Sequence, residues 1–450
     1  MANAAHLDIK INEKRQKEIE EIIFNVANKL KDPYKLKELG KRKDGTSTFF
    51  PITLSHGYPG TIIFFTELDR QFPNENWDLV AHEHFLALEK ELQNIPIYNI
   101  SLFTGLTGIT FATFMASRNR ERYNKFLSQL ESLLYKNIDN FIQQSTESWL
   151  KSNSAKASMF DVIGGLSGIG RYLLLSNQNG KHTQYIIKIN EFLIKLTNKV
   201  TVRGIRVPGW YVSSENLGSP NLEKIFPQGN FNYGLAHGIS GPLAFLAISL
   251  TQGIKTNGQV EAIELILDWL LSMEEKDQYG AYWRGRVAFE EYTNGLLSEE
   301  KDIPRESWCY GTPGILRAMY LAGKAINDKT VIQKTFDDFK TIYRRPSKNW
   351  GLESPIFCHG KAGLLQITLT MEEDNPKNEF LNDIIFLTDK LIKQYNVHSI
   401  FGYQDIEPID GQKSYIDKAG ILEGVAGIAL SLLSLVKTRE TLWDCAFLLK

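Results

Sequence analysis

At 450 residues, with 43% hydrophobic and 23% charged side chains, the chain has ample apolar material for a large core. A net charge of −1 without a basic stripe argues against a nucleic-acid partner, and three cysteines cannot build a disulfide framework. The first ten residues lack the apolar core of a secretion signal, and no uninterrupted apolar run is long enough to span a bilayer, so the expectation is a cytoplasmic protein.

Near the start, Ile19, Ile22, Ile23, Val26 and Leu30 recur at helical spacing and predict an outer helix preceding the first repeat. From there the chain repeats itself. A Gly-x-x-Gly element followed by an apolar stretch opens at Gly57, Gly105, Gly165, Gly238, Gly311, Gly360 and Gly424, at intervals of 48, 60, 73, 73, 49 and 64 residues. A single such element is an ordinary loop; seven in register suit one helical hairpin per repeat.

The runs after the second glycines are apolar nearly all round, as in Pro242-Leu243-Ala244-Phe245-Leu246-Ala247-Ile248, which predicts fully buried helices. Between them lie amphipathic segments such as residues 261–273, where Ile263, Ile266, Leu267 and Leu270 share one face. Alternating buried and half-buried helices predict an all-α fold: an α/α toroid of seven hairpins, inner ring within outer ring, with the glycine turns gathered at one end. One domain, residues 1–450, is expected. Residues 201–232, rich in Val, Pro, Trp, Tyr and Gly, read as a small β-containing extension inserted in it.

Register turns this pattern into geometry. Cys309 and Cys358 both stand two positions before the first glycine of their repeats, and His359 follows Cys358 directly. The position just before that glycine holds His56, Thr104, Gly164, His237, Tyr310, His359 and Glu423, so these side chains are expected to face one mouth. Two thiols and an imidazole are zinc ligands, and three protein ligands leave a fourth position open, as in catalytic sites. The sulfurs of Cys309 and Cys358 must then lie within about 5 Å, since each bond is roughly 2.3 Å. Cys445, beside Ala446 and Phe447, reads as core packing. His82-Glu83-His84 has metal-like content, but alternate residues on a helix diverge, and a solvated face is expected there.

An open zinc site lowers the pKa of a bound water or a bound thiol. A free thiol of pKa about 8.5 is only about 3% ionised at pH 7, so full ionisation raises the thiolate roughly thirtyfold, worth about 2 kcal/mol. Nothing in the residues themselves selects water or thiol.

The motifs Ser55-His56-Gly57-Tyr58-Pro59-Gly60, Asp161-Val162-Ile163-Gly164-Gly165, Gly234-Leu235-Ala236-His237-Gly238, Trp308-Cys309-Tyr310-Gly311 and Cys358-His359-Gly360 resemble those of the class I lanthipeptide cyclases, the LanC family, over nearly the whole chain. The resemblance implies an α-toroid with a β-containing extension and one zinc ion per chain, held by Cys309, Cys358 and His359. It implies addition of precursor-peptide cysteine thiols to dehydroalanine or dehydrobutyrine, giving lanthionine and methyllanthionine thioether rings in lantibiotic biosynthesis.

By the same resemblance His237 is the general acid or base, Asp161 orients it or shares the proton work, and Tyr310 and Arg305 steady the enolate oxygen. Gly164 departs from the larger polar residue often found in relatives, and His56 is at most a lining residue. The partners implied are a dehydrated precursor peptide with its leader, and a complex with a dehydratase and an ABC transporter at the inner face of the membrane. Two other readings compete: a LanC-like enzyme that adds glutathione to dehydrated residues, and a zinc-stabilised peptide-binding scaffold without turnover. A zinc prenyltransferase would want an aspartate ligand, and toroidal hydrolases a carboxylate pair, neither of which is evident.

Overall fold

A computed structural model describes residues 12–42, 44–295, 305–409, 411–436 and 440–450. The expectation made for the first ten residues lies outside the described residues. The chain divides into two compact units: Met1–Asn99, Phe103–Leu130 and Leu352–Asp444 form the first, and Ile100–Leu102, Glu131–Gly351 and Cys445–Lys450 the second.

In the first unit the repeat glycines lead into helices Tyr58–Gln71, Leu106–Ala116, Lys361–Asp374 and Val425–Val436. Every residue of Leu106–Ala116 is buried. Such a helix must satisfy its own hydroxyls, and it does: Thr110 and Thr113 donate to the carbonyls of Leu106 and Ile109, four residues back, at 2.8 Å each. The half-buried helices are of the other kind. Glu13–Leu30 buries Ile19, Ile22, Ile23, Val26, Ala27 and Leu30 along one stripe, and the Asn12 side chain caps it by accepting from the Arg15 amide at 2.9 Å.

The second unit has the same grammar. Helices Leu166–Leu175, Ser240–Thr251 and Thr312–Ile326 follow the glycines and are buried nearly throughout, while Gln259–Ser272 and Lys329–Arg344 bury one face. Residues Cys445–Lys450 thread into this unit. Trp308 donates its indole N–H to the Phe447 carbonyl at 3.0 Å, and the buried Arg317 donates to the Leu449 carbonyl at 2.6 Å. That anchors the residue immediately before Cys309.

Short glycine turns place these helix starts. Gly311 has φ +105°, and a Cβ there would sit 1.5 Å from the Arg305 carbonyl oxygen, so no other residue fits. Gly168, second of its pair, lies so close to Val162 that a Cβ would be 2.1 Å from the Val162 carbonyl oxygen. Main-chain hydrogen bonds then string the turns together. In the first unit Cys358 N–H donates to Leu422, Leu422 to Ser55, and Ser55 to Phe103, at 2.9, 3.2 and 3.0 Å. In the second, Val162 donates to Ala236 and Ala236 to Cys309, at 3.0 and 3.3 Å. The seventh turn is therefore bonded directly to the first, and the register read from the glycines is a spatial register within each unit.

All the sheets described are two-stranded and antiparallel. The extension expected at residues 201–232 begins two residues earlier, with the hairpin Lys199–Val202 and Ile205–Pro208, and continues through the helix Pro220–Ile225 to strand Asn230–Asn232. That last strand pairs outside the segment, with Arg286–Ala288, placing Asn232 opposite Arg286. Hairpins Glu275–Asp277 with Gly280–Tyr282 and Asp405–Ile409 with Gln412–Ile416 leave no mark in the residue pattern, because strands of three to five residues are too short to show alternation.

Candidate active site

Asp161 closes the short helix Ala157–Phe160, and its side chain is 3% exposed. The N–H groups of Gly164 and Gly165 both donate to its Oδ1 at 2.7 Å, so the carboxylate is held in one orientation by the turn itself. Its other oxygen, Oδ2, lies 2.7 Å from Nδ1 of His237. A carboxylate only accepts, so Nδ1 carries the proton and Nε2 is left as the atom that takes or gives one. Burial alone would lower the His237 pKa, but the hydrogen bond to Asp161 and the negative charges of Asp161 and Cys309 outweigh it, and the imidazole is raised above its ordinary 6.5. The His237 side chain keeps 40% of its exposure, enough for a substrate to reach it.

Tyr310 stacks obliquely on His237, with ring centroids 6.2 Å apart. Its hydroxyl accepts from Arg286 Nη2 at 2.5 Å and from Asn232 Nδ2 at 3.3 Å, and the Arg286 guanidinium lies 4.3 Å from the ring centroid. Burial chiefly, helped by the negative charge of Cys309 and Asp161 and opposed by Arg286, pushes the phenol up to about 12. Tyr310 is thus a neutral hydroxyl near pH 7. Arg305 is exposed, and its carbonyl is the oxygen packed beneath Gly311. The guanidinium on Tyr310 comes from Arg286, a residue that no glycine register points to; only the strand pairing with Asn232 brings it here.

Cys309 is buried, with its sulfur 3.6 Å from the Ser307 hydroxyl, and Cys358 and His359 are half-buried. Each of the three offers one ligand atom, and these atoms all lie within 4.8 Å of one another. Ligands around a tetrahedral zinc, at roughly 2.0–2.3 Å from the ion, stand just under 4 Å apart, so the donor set and its spacing fit a zinc ion. Cys445 is buried in the turn Trp443–Phe447, as packing requires.

A second group of ligand-type side chains, Asp405, Glu407 and Glu423, is built differently. The Lys418 ammonium stands among them, 2.8, 2.5 and 2.9 Å from the three carboxylates, so the cation there is already supplied by the chain. His56 Nε2 lies 3.1 Å from Glu423. Burial alone would raise the Glu423 carboxyl, but His56 and Lys418 hold it far below the usual range. His84 departs from expectation: it is fully buried, with Nδ1 2.7 Å from the Thr61 hydroxyl and its ring against Tyr58 and Phe65, while His82 and Glu83 face solvent. The two histidines diverge as helix geometry demands, and the inward one belongs to the core.

Known proteins share this arrangement of chain and fold. Residues 48–448 match the family model described as lanthionine synthetase C-like protein. The chain is 27% identical over 404 residues to nisin biosynthesis protein NisC of Lactococcus lactis subsp. lactis, covering 89% of this chain and 90% of that one. The solved structure of nisin cyclase matches with a TM-score of 0.77 at 24% identity, over 97% of this chain and 98% of that chain. This likeness shows the fold, the all-α α/α toroid anticipated from the repeats. With the family model spanning nearly its whole length, the chain belongs to the lanthionine synthetase C-like family.

Proposed function

We propose that this protein is a lanthipeptide cyclase that closes thioether rings in a dehydrated precursor peptide. The observation that carries the reading is the convergence of Cys309, Cys358 and His359 ligand atoms within 4.8 Å, with Cys309 near enough to His237 for its charge to act on the imidazole. One zinc per chain, held by these three residues, would supply a lowered thiol pKa when bound.

The rest is work for the chain's own residues. His237 Nε2, with Nδ1 fixed by Asp161, takes the proton of the incoming cysteine or returns one to the product. As the sulfur bonds to the β-carbon of dehydroalanine or dehydrobutyrine, the alkene electron pair moves toward the carbonyl and leaves negative charge on its oxygen. A proton delivered to the α-carbon then completes the thioether. The neutral Tyr310 hydroxyl suits donation to that oxygen, and by likeness to the family Arg305 helps to steady the same charge. The buried, doubly anchored Asp161 beside a half-exposed imidazole favours turnover over a passive zinc scaffold, which has no use for such a pair.

The substrate must come from a dehydrating enzyme, and assembly with that dehydratase and an ABC transporter belongs to the same proposal, by likeness to the family. Among the described residues no helix is long and apolar enough to cross a membrane.

The test is mass spectrometry with thiol alkylation on a dehydrated precursor, with and without the protein. Ring closure leaves the mass unchanged and removes alkylatable thiols. Cys309→Ala or Cys358→Ala should lose both the single zinc and cyclisation. Full activity after complete chelation, or ready addition of glutathione in place of the peptide's own cysteine, would overturn the reading.

A further inference from the structure

The Tyr310 hydroxyl is surrounded in a way that decides which way its proton points. Arg286 Nη2 donates to it at 2.5 Å, and a guanidinium can only donate. Asn232 is the second neighbour, at 3.3 Å. An amide could present either end, but Asn232 Oδ1 is already taken by the Gly234 N–H at 3.0 Å, which leaves the Nδ2 end facing the phenol. The pairing of strands Asn230–Asn232 and Arg286–Ala288 puts these two donors directly opposite each other.

With both neighbours donating into its lone pairs, the phenol cannot donate to either. Among the described residues no hydrogen bond is formed in which the Tyr310 hydroxyl is the donor. Its proton is therefore left for a partner other than these two, in the neighbourhood it shares with His237, whose ring centroid is 6.2 Å from its own. The guanidinium over the ring, 4.3 Å from the centroid, also fixes the tilt of the aromatic plane.

We infer that Arg286, seconded by Asn232, is a positioning residue for ring closure: it fills the acceptor side of Tyr310 so that the phenol O–H is aimed at the carbonyl oxygen of the dehydrated residue. The inference rests on the role proposed for Tyr310 in ring closure and deepens it. When sulfur adds to the β-carbon, the displaced electron pair comes to rest on that oxygen, and a donor already oriented toward it needs no reorganisation. Arg286 never touches the substrate in this scheme; it acts through Tyr310.

The test uses the zinc-loaded full chain and a dehydrated precursor, with thiol alkylation as the readout of rate. Arg286→Met should lower kcat about 10- to 100-fold with KM little changed, because the interaction is made only as charge develops. Arg286→Lys, which keeps a cationic donor, should recover part of that loss. The deciding measurement is the double-mutant cycle: in a Tyr310→Phe background, adding Arg286→Met should cost nothing more.

Additive losses would show that Arg286 acts by another route and overturn the inference, as would an unchanged kcat for Arg286→Met while Tyr310→Phe is slow. An unchanged rate for Tyr310→Phe alone would remove the role of Tyr310 itself. Zinc content and thermal unfolding, measured on each variant, separate these outcomes from loss of fold. Should Arg286→Met not fold, Asn232→Ala tests the same prediction from the other donor, with a smaller kcat loss that must again vanish in Tyr310→Phe.

Discussion

Asp161 and His237, 76 residues apart in the chain, meet through a 2.7 Å hydrogen bond between Oδ2 and Nδ1. The carboxylate is fixed by two backbone amides before it reaches the imidazole, so the pair is organised by the glycine turn rather than by side-chain choice alone. Replacing Asp161 by Asn keeps the shape and removes the charge that raises the imidazole. Ring closure should slow by about a hundredfold or more, and the pH–rate limb assigned to His237 should move to lower pH. A pH–rate profile on alkylated products checks both; an unmoved limb would separate Asp161 from the proton transfer.

Gly311 should tolerate nothing larger. Ala at this position meets the Arg305 carbonyl at 1.5 Å with φ at +105°, and the turn carrying Cys309 and Tyr310 must shift to relieve it. Gly311→Ala is expected to cost more than about 2 kcal/mol, from the left-handed backbone and the clash together, and to weaken zinc retention as well. Thermal unfolding and metal content report the two effects.

Glu306 gives a stability signature in pH. It is 2% exposed, burial pushes its carboxyl up to about 7, and Arg345 at 3.5 Å pulls only partly against that. Between its ordinary 4.5 and about 7, the folded protein keeps a proton that the unfolded chain releases, so stability falls as pH rises through this window. The contribution is on the order of 3 kcal/mol. Glu306→Gln should flatten that part of the pH dependence, and the difference in melting temperature between variant and parent across pH 4.5–7 measures it.

Lys418, 7% exposed in its side chain, holds Asp405, Glu407 and Glu423 together. Lys418→Met strands three carboxylates around an apolar side chain and should destabilise the fold by about 3 kcal/mol or more. Added Ca²⁺ or Mg²⁺ that restored the melting temperature of this variant, and not that of the parent, would show that the ammonium stands where a cation can sit. Denaturant titration supplies the first number and thermal shift the second.

Much of this was legible from residue order. The seven Gly-x-x-Gly elements and the all-round apolar runs specify buried helices that start at a tight turn, and these are local properties: backbone freedom at glycine and the absence of a polar face. The same register singled out Cys309, Cys358, His359, His237 and Tyr310, because side chains at one position of repeated turns share a direction. Even the inward face of Glu13–Leu30 follows from spacing alone.

What folding alone decided are the pairings between turns and strands distant in sequence. No local pattern says that Asp161 reaches His237, that the seventh turn bonds to the first through Leu422 and Ser55, or that Lys418 fills the place among three acids. Arg286 shows why: its three-residue strand is too short for periodicity, and its place on Tyr310 depends on pairing with Asn232, far earlier in the chain. Local chemistry writes the helices and turns, whereas a hydrogen bond between distant residues exists only after loop closure has brought its ends together.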